Sequence, residues 1–215
     1  MVGARARPDA RRRPVLGARS GQVARAQVAG RDRARTHRRA PADHRQVRFA
    51  LDHGSGPQAG HLAEYLAEEA PLDALYASPL LRARQTAEPA ASRFGLAVGL
   101  VDGVAEWDRH SNEYVPIEEL KAAGDPRWQA IVRGEWTSHD ESAEEFTDRV
   151  VTAIESLIDA HRGQRIGVVC HGGVINRYLA HVLGIDATNF FYPNYTSIHR
   201  VAAASTGERS IVTVN

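Results

Sequence analysis

From Gln58 onward, apolar and polar positions follow regular periods. Ala59, Leu62, Ala63 and Leu66 recur at the spacing of one helical face, which predicts an amphipathic helix. Ala74–Ala77 is a short apolar run that suits a buried strand. Ser78-Pro79 then reads as an N-cap with proline at the first helical position, opening a helix that runs to about Phe94 and stops at Gly95. Ala97–Val101 reads as another strand. Ser142-x-x-Glu145 is a capping box, and Phe146, Val150, Ala153, Ile154, Leu157 and Ile158 continue the apolar stripe behind it. Arg165–Cys170 has the unbroken apolar texture of a strand covered on both faces. His171-Gly172-Gly173 follows, then a helix through Val174, Ile175, Tyr178, Leu179, Val182 and Leu183, closed by Gly184. Two β-prone stretches, 196–203 and 209–214, end the chain. Strands alternating with helices of this length predict an α/β fold, a three-layer sandwich with a mostly parallel central sheet flanked by helices.

Two regions break the pattern. Residues 102–140 are irregular and hold Pro116, Pro126 and all three tryptophans, Trp107, Trp128 and Trp136, which suits an insertion able to roof a site. Residues 1–50 show no sustained period and few large apolar residues, so they cannot offset their ordering entropy by burial. The 215-residue chain has a formal charge of +1, yet that total hides two unlike parts. Residues 1–50 carry 14 Arg against 3 Asp, and the remainder carries 13 basic residues against 23 acidic ones. The division expected is therefore an Arg-rich, disordered or non-native segment over 1–56 and an α/β domain over 57–215.

The arginine run could neutralise phosphates, but no aromatic residue interleaves it before Phe49, so bases would have no stacking platform and no nucleic-acid partner is expected. A transit peptide fits the Arg-rich, acid-poor content less well, because serine is scarce and no amphipathic helix is evident. No run of about 18 apolar residues is present, which argues against a membrane span. The lone Cys170 excludes an internal disulfide framework and points to a reducing compartment, the cytoplasm.

Candidate chemistry sits at two strand-to-helix junctions, Ser78-Pro79-Leu80-Leu81-Arg82 and Cys170-His171-Gly172-Gly173. Ligands of open α/β sheets bind outside the carboxyl ends of the strands. The helix after His171 offers backbone N–H groups to an anion, and Gly172 and Gly173 allow close backbone approach. Arg82, near the start of its own helix, adds a guanidinium fork. Each feature alone has a plain alternative, a turn histidine and a solvated helix arginine.

The segments S-P-L-L-R-A-R-Q-T-A (78–87), E-S-A-E-E-F-T-D-R-V (141–150) and V-V-C-H-G-G-V-I (168–175) occur in this order at domain-scale spacing. Together they resemble the histidine phosphatase superfamily, with its phosphoglycerate mutase-like fold, over roughly residues 58–215. The resemblance implies a phosphomonoesterase or phosphomutase that passes a phosphoryl group through a phosphohistidine to water or back to substrate, acting on a small phosphorylated substrate. It implies that Arg82, His171 and Gly172 bind the phosphoryl group, with Arg82 and His171 also catalytic, and that Glu106 donates a proton to the leaving oxygen. Asp108 and Glu113 are the alternatives to Glu106. No cofactor or metal is implied, and the sequence leaves the oligomeric state open. His110, His139, His161, His181 and His199 read as surface or packing residues. Trp107, Tyr114 and Trp136 either line a pocket or form the insertion's own small core. A cysteine phosphatase is a further reading, but Arg177 follows Cys170 after six intervening residues where that chemistry needs five.

The family's first strand ends in Arg-His-Gly, whose histidine is the nucleophile, and this sequence has no Arg-His-Gly. The nearest imitation is Val47–Leu51 running into Asp52-His53-Gly54, with aspartate in place of arginine. His37 has better spacing to Gln58 but no strand before it. The first strand is therefore expected to be missing or non-native, and a catalytically dead phosphate-binding or scaffold protein of the same fold is the second functional reading. The switch in charge and texture near residue 55 suggests a frameshift or displaced start upstream of about residue 57. The nucleotide sequence around codons 1–60 is expected to encode, in another frame, an apolar strand followed by Arg-His-Gly or Arg-His-Ala. Sequencing that region checks this, and the idea fails if no frame holds such a segment.

Overall fold

The computed structural model describes residues 44–51, 56–110, 115, 117–133, 141–186 and 189–214, with only the backbone of 44–51 and of 117–118 described. Six strands form one sheet: β1 (His44–Leu51), β2 (Ala74–Ala77), β3 (Val98–Leu100), β4 (Arg165–Cys170), β5 (Ile198–Ala204) and β6 (Arg209–Thr213), in the order β3-β2-β4-β1-β5-β6. The β3–β2, β2–β4 and β4–β1 pairings are parallel, while β5 runs antiparallel to β1 and β6 antiparallel to β5. Helices α1 (Gly56–Glu68), α2 (Leu81–Phe94), α5 (Ala143–Ala160) and α6 (Gly172–Leu183) cover the sheet, and α3 (Ile117–Ala123) and α4 (Pro126–Val132) lie in the insertion.

The three layers follow from strand alternation. Ile166, Val168 and Cys170 of β4 pack with Phe146, Val150, Ile154 and Ile158 of α5 and with Val174, Ile175, Tyr178 and Leu179 of α6. Val169 belongs to the opposite cluster, with Leu62, Ala63 and Leu66 of α1, Leu75 and Ala77 of β2, and Ala83, Ala87 and Ala90 of α2. A strand sandwiched this way has no solvated face, which is why β4 reads as a continuous apolar run. One polar network ties the α5–α6 layer to the sheet edge. The Tyr178 hydroxyl donates to Glu155 at 2.7 Å, and Arg209 of β6 pairs with the same carboxylate.

The expected helix ends are present where local chemistry sets them. Ser142 and Glu145 exchange both capping-box bonds, and Gly95 and Gly184 close α2 and α6 at φ 65°. Three expectations are corrected. The first strand is not missing: β1 occupies the sheet centre inside the Arg-rich segment, paired with β4 on one side and β5 on the other. Composition misjudged it because its partners lie more than 100 residues away, and two flanking ladders supply what the segment's own apolar content does not. Ser78 does not cap a helix. α2 begins at Leu81, its N-cap is Leu80, and no side chain caps it. The 102–140 insertion is not wholly irregular, because it contains a 3-10 turn at Asp102–Val104 and two short helices. Asp125 caps α4 by accepting from the Arg127 backbone N–H at 2.8 Å, and Pro126 takes the first helical position. No helix among the described residues is long and apolar enough to cross a membrane.

His161 shares a 2.6 Å hydrogen bond with the Tyr76 hydroxyl, a packing role. His199 is fully buried, shares a 2.9 Å bond with Ser197 Oγ and meets the Phe191 ring edge-on. Burial lowers its pKa to about 4, so the folded protein holds a neutral imidazole that the unfolded chain would protonate near 6.5. The stability this contributes is complete above about pH 6.5 and is lost as pH falls toward 4. Urea unfolding between those limits should show stability declining with falling pH, and His199→Gln should flatten that slope. An unchanged slope in the variant would remove His199 as the cause.

Candidate active site

Three neighbouring strands deliver side chains to one edge of the sheet. The order β3-β2-β4 sets the segments after these strands side by side, because parallel strands present their carboxyl ends together. The pairing continues past the strands: Ser78 N–H donates to Val169 O at 2.9 Å, and Val101 N–H donates to Ala77 O at 3.0 Å. After β2 come Ser78 and Arg82, after β4 comes His171 and the start of α6, and after β3 the 3-10 turn leads to Glu106.

Ser78 and His171 are both buried and share a 2.7 Å hydrogen bond between Oγ and Nε2. The same serine oxygen accepts from the Leu80 N–H at 3.3 Å. Ser78 thus orients the imidazole, where the sequence suggested a helix cap.

Glu106 is held at two points. Oε1 accepts from its neighbour Trp107 N–H at 3.0 Å, and Oε2 accepts from Gly173 N–H at 2.9 Å. Gly173 lies in the first turn of α6, so the carboxylate occupies one of the donors expected to face an anion. A Cβ on residue 173 would lie 2.4 Å from Glu106 Oε1, so any other residue there would have to displace the carboxyl. Burial raises the Glu106 pKa above the ordinary carboxylate value and Asp108 adds to the rise, while His171 and the two N–H bonds oppose it. The result is a carboxyl biased toward holding its proton.

Arg82 Nη2 donates to Asp108 Oδ1 at 3.1 Å, with both side chains partly exposed. Asp108 follows Glu106 by two residues, and Glu106 touches Gly173 beside His171. Arg82, Glu106 and His171 thus lie on segments that these two hydrogen bonds join. Asp108, the alternative acid, is engaged with Arg82. Glu113, His53, His37, His139, Tyr114 and Trp136 lie outside the described residues.

Several partners gave no signal in the sequence beyond their types. Asn176 donates to Gly172 O at 2.9 Å and Phe191 O at 3.2 Å, and accepts from the Phe190 and Phe191 N–H groups. It fastens the 189–191 segment to the start of α6. Trp107 is stacked on Phe146 at 5.2 Å and donates Nε1–H to Glu141 O at 3.2 Å, so it packs against the main core between the sheet, α5 and α6 rather than forming a core of the insertion's own. Arg177 is buried with its guanidinium 5.5 Å over the Trp107 ring, and burial lowers its pKa. Cys170 is fully buried in the α5–α6 cluster, and with Arg177 against Trp107 the pair does not form a cysteine-phosphatase loop. Among the described residues, no group of three or more His, Cys, Asp or Glu side chains is placed to hold a metal ion.

A sequence profile for the histidine phosphatase superfamily (branch 1) matches residues 34–215. A phosphoglycerate mutase-like protein 4 from Arabidopsis thaliana is 32% identical over 135 residues, covering 58% of this chain and 56% of its own. An uncharacterized phosphatase, PhoE, from Bacillus subtilis is 28% identical over 130 residues, covering 60% of this chain and 62% of its own. The matches thus span about three fifths of these curated relatives. Among solved structures, a phosphoserine phosphatase mutant from Entamoeba histolytica in complex with phosphoserine superposes with a TM-score of 0.64 at 20% identity, over 80% of this chain and 96% of that one. A mycobacterial glucosyl-3-phosphoglycerate phosphatase complexed with VO3 gives 0.64 at 18% identity, over 80% and 99%. At these identities the superpositions show a shared fold.

The contact between Gly173 and Glu106 is open to direct test. Gly173→Ala should force the carboxyl aside and destabilise the protein by about 1–3 kcal/mol, read by urea denaturation. Pairing it with Glu106→Ala should recover much of that loss. A neutral Gly173→Ala would show that the two groups are not in close contact.

Proposed function

Because the chain belongs to the histidine phosphatase superfamily, we propose that it is a phosphomonoesterase that transfers a phosphoryl group by way of a phosphohistidine. The observation that carries this reading is the convergence of Arg82, the Ser78–His171 pair and Glu106 at three adjacent strand ends. An in-line transfer builds negative charge on the equatorial phosphoryl oxygens and on the leaving oxygen. Arg82 supplies a guanidinium for the first, and Gly172 and His171 at the start of α6 supply hydrogen-bond donors. Glu106, with its raised pKa, gives its proton to the leaving oxygen as the ester bond breaks. The phosphoryl group passes to a histidine nitrogen, and water then takes it as inorganic phosphate. His53 is the candidate nucleophile. It follows by two residues the end of β1, where Leu51 pairs with Cys170, the residue before His171.

The substrate proposed is a small phosphate monoester, in keeping with the phosphoserine and glucosyl-3-phosphoglycerate of the structural neighbours. The proposed location is the cytoplasm, which suits a chain with one cysteine. The second reading is a phosphate-binding protein without catalysis. It rests on the sequence alone, in which Asp52 stands where the family motif has an arginine, an acidic residue in place of a basic one.

Hydrolysis of p-nitrophenyl phosphate and of phosphoserine by the purified chain separates the two. The enzyme reading expects phosphate release and a protein label that is acid-labile and base-stable. Arg82→Ala should lower kcat/KM by about a hundredfold or more. Glu106→Gln should slow phosphoserine far more than p-nitrophenyl phosphate, whose leaving group needs no proton. Activity on phosphoserine should fall on the alkaline side as Glu106 loses its proton. Phosphate binding without release or label would establish the second reading instead.

A further inference from the structure

The segment that carries Glu106 is gripped by one side chain 40-odd residues away. Arg149 of α5 donates through Nη1 to three backbone carbonyls, Asp102 at 3.2 Å, Gly103 at 3.0 Å and Ala105 at 3.0 Å. The remaining edge of its guanidinium forks onto Glu141, Nε to Oε1 at 2.7 Å and Nη2 to Oε2 at 2.8 Å. Its flat face lies 5.0 Å from the Phe146 ring, which is itself stacked on Trp107. Both charged side chains are largely buried, and Arg149 holds the Glu141 carboxyl below its ordinary pKa.

The consequence for Glu106 is geometric. The Ala105 carbonyl belongs to the peptide unit that leads into Glu106, so holding it sets one of the two peptide planes that flank Glu106 and narrows the directions its side chain can take. On the other side, the indole of Trp107 is tied to the Glu141 carbonyl. Glu106 is thus bracketed before and after by a single ion pair. Gly103 presses the turn onto α5, since a Cβ there would lie 2.3 Å from that of Ala153.

We propose that Arg149, locked by Glu141, is a positioning residue whose function is to aim the Glu106 carboxyl at the leaving oxygen. This rests on the reading of Glu106 as proton donor. The pair falls within the 141–150 segment that the sequence singled out and to which the site had given no task. Lysine cannot replace this arginine, because an ammonium lacks the planar fork that binds carbonyls on one side and a carboxylate on the other. When the grip loosens, the Glu106 carboxyl gains water and its pKa falls toward the ordinary value. The charged groups that face it are His171, Asp108 and Arg177, and none of them is changed by a substitution at 149.

The experiment is a carboxyl-carbon NMR titration of Glu106 in the full chain, its signal assigned by loss in Glu106→Gln. Arg149→Lys should lower that titration midpoint by about half a pH unit or more. Glu141→Gln, which keeps the carbonyl contacts and loses only the charge, should give a smaller shift in the same direction and serves if Arg149→Lys does not fold. The alkaline limb of phosphoserine hydrolysis should move with the midpoint, and kcat should fall about tenfold or more with KM little changed. In a Glu106→Gln background Arg149→Lys should then cost almost nothing further. An unmoved Glu106 midpoint in folded variants, or an undiminished cost in the Glu106→Gln background, would overturn the proposal. Absence of hydrolysis in the wild-type chain would instead remove the proton-donor reading, while the NMR midpoint would still decide whether Arg149 aims the carboxyl.

Discussion

The 2.9 Å bond from the Gly173 amide to the Glu106 carboxyl joins two segments that the chain otherwise keeps 67 residues apart. It uses an N–H at a helix start, where the backbone dipole favours negative charge, to hold a group that burial would prefer neutral. These two tendencies oppose each other, and neither removes the other. The carboxyl stays oriented while its pKa stays above the ordinary carboxylate value, the combination that the proposed proton donor would use. The close approach also explains the glycine at position 173. Residue 173 has no room for a side chain once the carboxylate is seated.

The sheet order makes this contact possible. With β2 between β3 and β4, the turn after β3 must reach across the end of β2 to touch α6. Arg149 stiffens the near side of that reach, and the Ser78–His171 bond occupies the end of β2 between them. Arg82 then closes the group through Asp108. Polar groups this deeply placed are costly unless each has its partners, and here the partners come from four separate elements. Behind them the Phe146 ring, stacked on Trp107, lies 5.0 Å from the Arg149 guanidinium, and the Arg149–Glu141 pair is largely buried.

Much of this was legible in the order of residues, and some was not. The capping box at Ser142 and Glu145, the left-handed stops at Gly95 and Gly184, and the doubly buried texture of β4 are local, so periodicity and spacing revealed them. The Ser-Pro at 78–79 resembled a helix start for the same local reason, yet tertiary contact claimed the hydroxyl for His171. Arg82, Glu106 and His171 stand out as site candidates in the motifs, and in the folded chain they contact Asp108, the Gly173 amide and Ser78 respectively. Ser78, Asn176 and the Arg149–Glu141 pair gave no sign of what they would touch, since a side chain's type does not name its partner.

What the sequence determined by itself was therefore most of the helices and strands after residue 57 and the family to which the chain belongs. These depend on interactions among neighbours within a few residues, and those neighbours are written in the chain. What only the tertiary structure decided was which polar groups meet, and that β1 would take the centre of the sheet from within an Arg-rich stretch. Both outcomes depend on partners beyond the reach of local pattern, 26 residues away for Arg82 and Asp108 and more than 100 for β1. A strand between two ladders and a carboxyl beneath a guanidinium gain their stability from partners that local pattern does not record.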